Sequence, residues 1–196
     1  MELAGKPLHA WKVGAAARQR AVMAQDSSVS FPFPVQDVVQ MGRNPWRKTP
    51  REQEDAAAVA AAMEATAITP LAARSVTLLS GGERQRTALS RVLAQEGSVL
   101  LLDEPVSAMD IRHQEQTLQT CRRLAAEGAA VAVVLHDLDA AAAYADYLVL
   151  MESGRIRAAG TVEEICSAET LSGVYGTPIE VFRTAESGRL RVAPAR

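Results

Sequence analysis

Two nearly continuous aliphatic runs dominate the hydrophobic pattern in the second half of the chain. They are "SVLLLDEP", which starts at Ser98, and "AAVAVVLHD", which ends at Asp137. Runs of this kind are typical of strands in a parallel sheet that is covered on both faces. The polar segment between them is closed by Gly128 and has the length of a crossover helix. The pattern therefore predicts a strand-helix-strand unit.

The first half of the chain has a helical pattern. "VQDVVQMG" places Val35, Val38 and Val39 at helical spacing, and "REQEDAAAVAAAMEATAI" is an alanine-rich stretch with an acidic first turn that ends before Pro70. Upstream, "AVMAQ" is the length of a strand and ends in Gln25. We expect a helical block that follows a strand.

The segments after Asp137 complete an α/β fold with a helical insertion. "YLVLMESGRIRAAG" predicts a hairpin, "TVEEICSAETLSGVYG" predicts further helix, and the last residues a short polar tail. We expect one domain or one domain with a subdomain, long enough at 196 residues to bury a core. Its predicted parts are residues 1–25, the end of an N-terminal sheet region; 26–95, a helical subdomain; 96–160, the core; and 161–196, a C-terminal helix and tail.

Composition narrows the function classes. A hydrophobic fraction of 48%, a charged fraction of 22% and a net charge of −2 disfavour a nucleic-acid partner. The longest apolar run is too short to cross a bilayer, and the N-terminus lacks the zones of a signal peptide, so we expect any membrane role to act through a partner. Cys121 and Cys166 have no CxxC spacing and no nearby histidine cluster, which predicts reduced thiols without a function.

One helix start is suited to holding an anion. Ser80 and Glu83 form the S-x-x-E pattern of a capping box. Between them Gly81 and Gly82 carry no Cβ, so another backbone or a phosphate can approach amides at the positive end of the helix dipole. The alternative is an ordinary capped helix.

Polar residues follow both aliphatic strands: Asp103 and Glu104 after the first, His136 and Asp137 after the second. In open parallel sheets, ligands bind at the carboxyl edge. If the strands are neighbours, an acid pair and an imidazole share one rim, which suits metal-phosphate chemistry. The alternative is that the acids only begin turns and that the histidine is structural.

These motifs, in this order, resemble the nucleotide-binding subunit of an ABC transporter over nearly the whole chain. "LSGGE" is similar to the family's signature, "VLLLDEP" to its Walker B strand, and "SAMD" to its D-loop. The resemblance implies a P-loop NTPase-like parallel sheet core with a helical signature subdomain, and it implies ATP and Mg²⁺ as ligands.

The resemblance also implies roles for single residues. Asp103 would hold magnesium, Glu104 would act as the general base, and His136 would be the switch histidine. Gln25 would be the Q-loop glutamine that senses Mg²⁺ and the γ-phosphate. The other implied nucleotide contacts are Leu79, Ser80, Gly81, Gly82, Glu83 and Asp110.

A narrower resemblance is to haem importers of the iron-chelate and cobalamin uptake group. It is carried by "FPFPVQDVVQMGRNPW", "SRVLAQ" and the ending "GTPIEVFRTAESGRLRVAPAR". It implies membrane permease subunits, a second ATPase subunit in a dimer, and a periplasmic or surface substrate-binding protein as partners, with the chain peripheral at the cytoplasmic membrane face. Val29 to Pro34 is the expected permease contact, and the alternative is an exposed connection.

The 196 residues contain no G-x-x-x-x-G-K-[ST], the loop that cradles phosphates. The pair Gly5-Lys6 is followed by proline and lacks the preceding glycine and strand. Three expectations follow: a truncated or misassigned transporter ATPase without its P-loop strand, a partner that supplies only the signature to a full-length subunit, or a nonfunctional remnant. ATP hydrolysis by this chain is therefore left open. A DNA-repair ATPase is disfavoured because no long coiled-coil insertion is present.

Overall fold

The computed structural model describes residues 1–25 and 31–195. It consists of two compact units, Met1–Val134 and Leu135–Arg196, and each is described by itself. Among the described residues, no helix is both long enough and apolar enough to span a bilayer.

A three-stranded parallel sheet lies at the centre of the first unit. Its strands are, in spatial order, β3 (Arg20–Met23), β4 (Val99–Asp103) and β5 (Ala130–Val134), and the crossover between the last two is helix α5 (Ile111–Ala126). A short antiparallel pair, β1 (Glu2–Leu3) and β2 (Lys6–Pro7), and helix α1 (Val13–Gln19) precede them. The predicted α/β class and the side-by-side aliphatic strands are confirmed.

The sheet is covered less completely than its sequence indicates. Leu100 and Leu102 of β4 are buried against α5 and a second helix, whereas Leu101 is 37% exposed and Val134 of β5 is 51% exposed. The expectation of coverage on both faces is therefore wrong for the described residues. The reason is that the helices packed on this sheet lie on the Leu100 face, so the intervening side chains have little to pack against.

The helical block is built from α2 (Val35–Gln40), α3 (Asp55–Ala65) and α4 (Gly81–Ala94), joined by short 3₁₀ segments. The predicted valines Val35, Val38 and Val39 are buried in one cluster with residues of α3 and the end of α4. The helix predicted from residue 51 begins as a 3₁₀ turn, Pro50–Glu54, and becomes α-helical at Asp55. The block was predicted correctly.

The 3₁₀ helix Met41–Trp46 lies directly on α4. A Cβ placed on Gly42 would come 2.1 Å from the carbonyl oxygen of Arg91, so only glycine fits there. Next to it, the side chain of Arg43 is fully buried and donates to the carbonyl of Ala94 at the end of α4. These two contacts fix where the last turn of α4 lies.

The second unit contains α6 (Leu138–Tyr144), the predicted hairpin β6 (Tyr147–Glu152) and β7 (Arg155–Thr161), and helices α7 (Val162–Ile165) and α8 (Ala168–Tyr175). The chain end differs from the expected polar tail. It forms a second hairpin, β8 (Ile179–Arg183) with β9 (Leu190–Pro194). Val181 and Val192 face each other across this hairpin and pack against the core of the unit.

Replacing Gly42 by alanine should lower the free energy of unfolding by about 1–3 kcal/mol, the usual range for overpacking, because the backbone of α4 must move. Urea denaturation measures the change. The matched control is Gly14→Ala in α1, where the nearest atom is 3.7 Å away and belongs to the flexible Arg18. Alanine there should stabilise the chain by up to about 1 kcal/mol. Equal stability of the two variants would contradict the close packing of Gly42.

Candidate functional site

The capping box at the start of α4 has formed as predicted. The Ser80 side chain accepts a hydrogen bond from the amide of Glu83 at 3.3 Å, and the amide of Ser80 donates to the Glu83 carboxylate at 2.7 Å. The backbone bond from Ser80 is the main cause that lowers the pKa of Glu83, and its side-chain bond adds to it. The first turn of α4 therefore carries a fixed negative group at its rim, while Ser80 itself is exposed.

The other residues of the motif differ from Ser80 and Glu83 in burial and in the atoms that they contact. Leu79 is 4% exposed and belongs to the core of the helical block. A Cβ on Gly82 would lie 2.8 Å from the carbonyl oxygen of Ala108, and one on Gly81 would lie 3.6 Å from the Ala108 Cβ. The backbone that approaches Gly82 is thus the chain's own loop after β4, and the same loop meets Gly81 through the Ala108 side chain. Gly81 stays exposed beside it.

That loop begins with the predicted acid pair. Asp103 is the last residue of β4, and Glu104 follows it with a φ of 48°, in the left-handed region that residues other than glycine rarely adopt. Both residues are half-buried. The positive φ changes the direction of the chain between the two adjacent carboxylates.

Gln25 and Glu104 follow the ends of two neighbouring strands. Gln25 lies two positions after Met23 and Glu104 two positions after Leu102, and Met23 pairs with Leu102 across β3 and β4. The side-chain amide of Gln25 donates to the Glu104 carboxylate at 3.1 Å. The structure therefore brings together Gln25 and Glu104, two residues far apart in the sequence that were predicted to share one site.

Asp110 and His136 are placed at helix starts. Asp110 caps α5 and accepts hydrogen bonds from the amide of His113 at 2.9 Å and from its ring Nδ1 at 2.8 Å. These bonds lower the pKa of Asp110. His136 is exposed in the second unit, directly before Asp137, which caps α6. The side-by-side strands β4 and β5 were predicted, but a shared rim of Glu104 and His136 stays a prediction.

A residue that the sequence did not single out, Gln85, connects α4 to the loop. Its side chain bonds the backbone of Glu104 and of Ala108 and the hydroxyl of Ser107. The only signal for it is spacing: Gln85 lies three and four residues after Gly82 and Gly81, so all three share one face of α4. A cavity of about 220 Å³ beside this face is lined by Gln25, Gly81 and Gln85, among others.

The carboxylate, amide and carbonyl oxygens at this edge are the donors that Mg²⁺ prefers. No group of three or more acidic, histidine or cysteine side chains in residues 1–25 and 31–195 is arranged to hold a metal. Mg²⁺ usually binds one or two carboxylates together with substrate phosphates, so Asp103 fits that ion as one ligand of a set completed by the substrate.

The two cysteines do not have the properties of reactive groups. Both are free and buried. Burial raises the pKa of the Cys121 thiol to about 11 and also raises that of Cys166, where Glu163 adds to the effect. Thiolates are the reactive form, so both thiols are unreactive at neutral pH.

Comparison with known proteins gives one consistent family. A family model described as ABC transporter matches residues 1–107. The hemin import ATP-binding protein HmuV of Streptomyces coelicolor is 52% identical over 98% of this chain and 69% of its own length, and HmuV of Rhodococcus jostii is 45% identical over 100% and 67%. The chain thus spans about two thirds of these relatives. The cobalamin import ATP-binding protein BtuD of Halobacterium salinarum is 43% identical over 98% of the chain and 48% of its length.

Solved structures agree in fold. A metal-chelate type ABC transporter in an inward-facing conformation superposes with a TM-score of 0.78 at 26% identity, covering 91% of this chain and 72% of that one. An ATP binding subunit of an ABC transporter superposes with a TM-score of 0.68 over 82% and 65% of the two chains; at 19% identity this likeness shows the fold alone.

Exchanging Glu83 for glutamine should remove a stabilising charge without removing the capping geometry. Because the folded-state pKa of Glu83 lies below its ordinary value of 4.5, the stabilisation is complete above pH 4.5 and is lost as the pH falls through the folded-state pKa. The native chain should exceed Glu83→Gln in free energy of unfolding by about 0.3–1 kcal/mol at neutral pH, and the two should converge in acid.

Urea denaturation of both proteins between pH 3 and pH 7, about the range over which a carboxyl group titrates, measures this difference. Asp37→Asn is the control, since Asp37 is an exposed acid in the first turn of α2, where Pro34 makes no side-chain cap. A gap for Glu83→Gln that stays constant with pH would mean that the ionised capping box does not stabilise α4.

Proposed function

Because the chain belongs to the ABC transporter family, we propose that it is the ATP-binding subunit of an importer whose cargo is haem or a related iron chelate. The relatives named for hemin import match over nearly the whole chain, including its ending. The observation that carries the assignment is the meeting of Gln25, Glu104 and the start of α4 at one edge of the sheet.

We propose that the start of α4 contacts the γ-phosphate of ATP. The exposed start of α4 offers Ser80 and the amides of Gly81 and Gly82 to an anion, at the positive end of a helix of 14 residues. In a dimer, that anion belongs to the nucleotide held by a second ATPase subunit. Glu83 holds the cap and buried Leu79 anchors the motif in the core.

The acid pair belongs to this chain's own nucleotide site in such a dimer, and its two carboxylates have different roles there. Glu104 serves as the general base that takes a proton from the attacking water, and the Gln25 amide orients its carboxylate. Asp103 would hold Mg²⁺, which neutralises charge on the phosphates when bound. Gln25 would sense the Mg²⁺ and γ-phosphate, His136 would donate a hydrogen bond to the transferred phosphate, and Asp110 would keep the loop before α5 in place through its bonds to His113.

The partners follow from the same assignment. Importer ATPases act with a membrane permease, so the chain is expected to lie at the cytoplasmic face, bound to permease subunits, with a substrate-binding protein delivering cargo to the other side. Val29 and Ser30 of the proposed contact lie outside the described residues. Phe31, 69% exposed, packs edge to face with Phe33 at 6.3 Å, and both precede α2. An exposed aromatic pair of this kind suits a protein interface.

Replacing Glu104 by glutamine should lower ATP hydrolysis by roughly 10²–10⁴ in the complex of this chain with its permease, because an amide accepts no proton. Phosphate release at saturating ATP measures the loss. Glu127→Gln, an exposed acid paired with Arg123 on α5, is the matched control and should hydrolyse ATP at the native rate. If the Glu104 variant keeps native turnover in an active complex, Glu104 is not the base.

A photo-crosslinking phenylalanine analogue at Phe31 should attach the chain to the permease. The same analogue at Tyr175, 49% exposed on α8, is the control for exposure alone and should give no permease adduct. Gel electrophoresis and mass spectrometry of the illuminated complex identify the partner. Equal labelling from both positions, or none from Phe31, would argue for an exposed connection instead.

A further inference from the structure

The side chain of Gln85 makes three hydrogen bonds to the loop after β4. Its Nε2 donates to the carbonyl oxygen of Glu104 at 2.5 Å and to the hydroxyl of Ser107 at 3.1 Å. Its Oε1 accepts from the amide of Ala108 at 2.9 Å. The partners fix the orientation of the amide group, because a backbone N–H must face the oxygen and a carbonyl must face the nitrogen.

One of these bonds holds the backbone of Glu104 in an unusual conformation. Glu104 has a φ of 48°, and its carbonyl is held by Gln85 at 2.5 Å and by the Ser107 hydroxyl and amide at 3.3 and 3.4 Å. Backbone in this region persists only where the surroundings hold it. The Gln85 bond is the shortest of the three, and the backbone turn it holds sets the direction in which the Glu104 carboxylate leaves the strand.

A second glutamine braces the same loop without touching Glu104. Gln114 of α5 donates from Nε2 to the carbonyls of Val106 at 3.3 Å and Met109 at 3.0 Å. The loop is thus held from two helices, but the contact with Glu104 comes from α4. Loss of Gln85 and loss of Gln114 can therefore be compared, because both side chains hold the loop and only Gln85 contacts Glu104.

We propose that Gln85 is a positioning residue that couples the start of α4 to the carboxylate of Glu104. The functional part of this inference rests on the function proposed above for Ser80 and Glu104. Gln85 lies one helical turn from Gly81 and Gly82, so a displacement of the helix start on meeting a phosphate reaches Glu104 through one side chain. The loss of Gln85 should leave nucleotide affinity and fold intact while the general base loses its alignment.

Two variants separate the bonds of Gln85. Gln85→Met keeps the length of the side chain and removes all three hydrogen bonds. Gln85→Glu keeps an acceptor for the Ala108 amide but removes both donors and places a carboxylate against the Glu104 carbonyl. Gln114→Met is the matched control on α5, and Gln119→Met, which removes one surface bond to Glu115, is the control for losing a helical glutamine.

The first measurement does not depend on ATP hydrolysis. NMR spectra of the full chain report the side-chain amide of Gln25, which donates to Glu104, and the exchange rate of the Ala108 amide. In Gln85→Met, the Gln25 signals should move toward those of a Glu104→Ala reference, and Ala108 should exchange about tenfold faster, as expected when a local opening is favoured by 1.4 kcal/mol. In Gln85→Glu, only the Gln25 signals should move. In Gln119→Met, neither should change, and in Gln114→Met, which does not contact Glu104, the Gln25 signals should stay in place.

The second measurement is ATP hydrolysis by the complex with the permease. Both Gln85 variants should lose roughly 10- to 100-fold in kcat with KM within about twofold, the size of effect that a small misplacement of a catalytic group produces. Gln114→Met should stay near the native rate. A merely structural role would instead lower the amount of folded protein and leave kcat per folded complex unchanged.

The outcomes are distinguishable. Unchanged Gln25 signals in both Gln85 variants, or a native kcat despite altered signals, would overturn the positioning role. Native turnover in Glu104→Gln would instead overturn the proposed function of Glu104, and the NMR result would still decide whether Gln85 aligns that side chain.

Discussion

The contacts of the buried Arg43 guanidinium are the interaction on which the arrangement of the helices in the first unit depends. It is fully buried and pairs with Asp55 at 2.7 Å and Glu96 at 2.6 Å while donating to the carbonyl of Ala94. Burial alone would lower the pKa of Arg43, but the bonds to the two carboxylates outweigh it and the pKa is raised. Removing the partner of a buried ion pair typically costs about 3–5 kcal/mol, and this applies to Asp55, the more buried of the two carboxylates. Arg43 thus ties α3, the 3₁₀ helix Met41–Trp46 and the end of α4 together.

Trp46 and Gln95 extend these contacts from the end of α4 to the sheet. The indole of Trp46 donates to the carbonyl of Gln95, and the guanidinium groups of Arg43 and Arg51 lie over its ring at 5.5 and 4.2 Å. Gln95 in turn donates to the carbonyls of Ala17 and Arg20, at the entry to β3. The end of α4 is therefore fixed to the sheet. A helix of 14 residues is about 21 Å long, so a rigid far end determines where the exposed start of α4 can lie.

The sequence allowed prediction of features whose cause is local. The capping box of Ser80 and Glu83, the aliphatic strands and the hairpin at residue 147 depend on neighbouring residues or on regular spacing, and the structure has them. Three features depend on distant contacts and were missed or misjudged: the hairpin β8–β9, the exposed face of the sheet, and Gln85. A polar residue on a helix has no local sign that its partners will be backbone groups 19 and 23 positions away.

The positive φ of Glu104 explains how two adjacent carboxylates can do different work. In an extended strand, neighbouring side chains point to opposite faces, and Asp103 follows that rule as the last residue of β4. The left-handed turn at Glu104 breaks the alternation and directs its carboxylate to Gln25, while its carbonyl turns to Gln85. One residue thus bonds the sheet edge through its side chain and α4 through its backbone. A displacement of the start of α4 relative to the sheet edge would therefore reach Glu104 through these two hydrogen bonds.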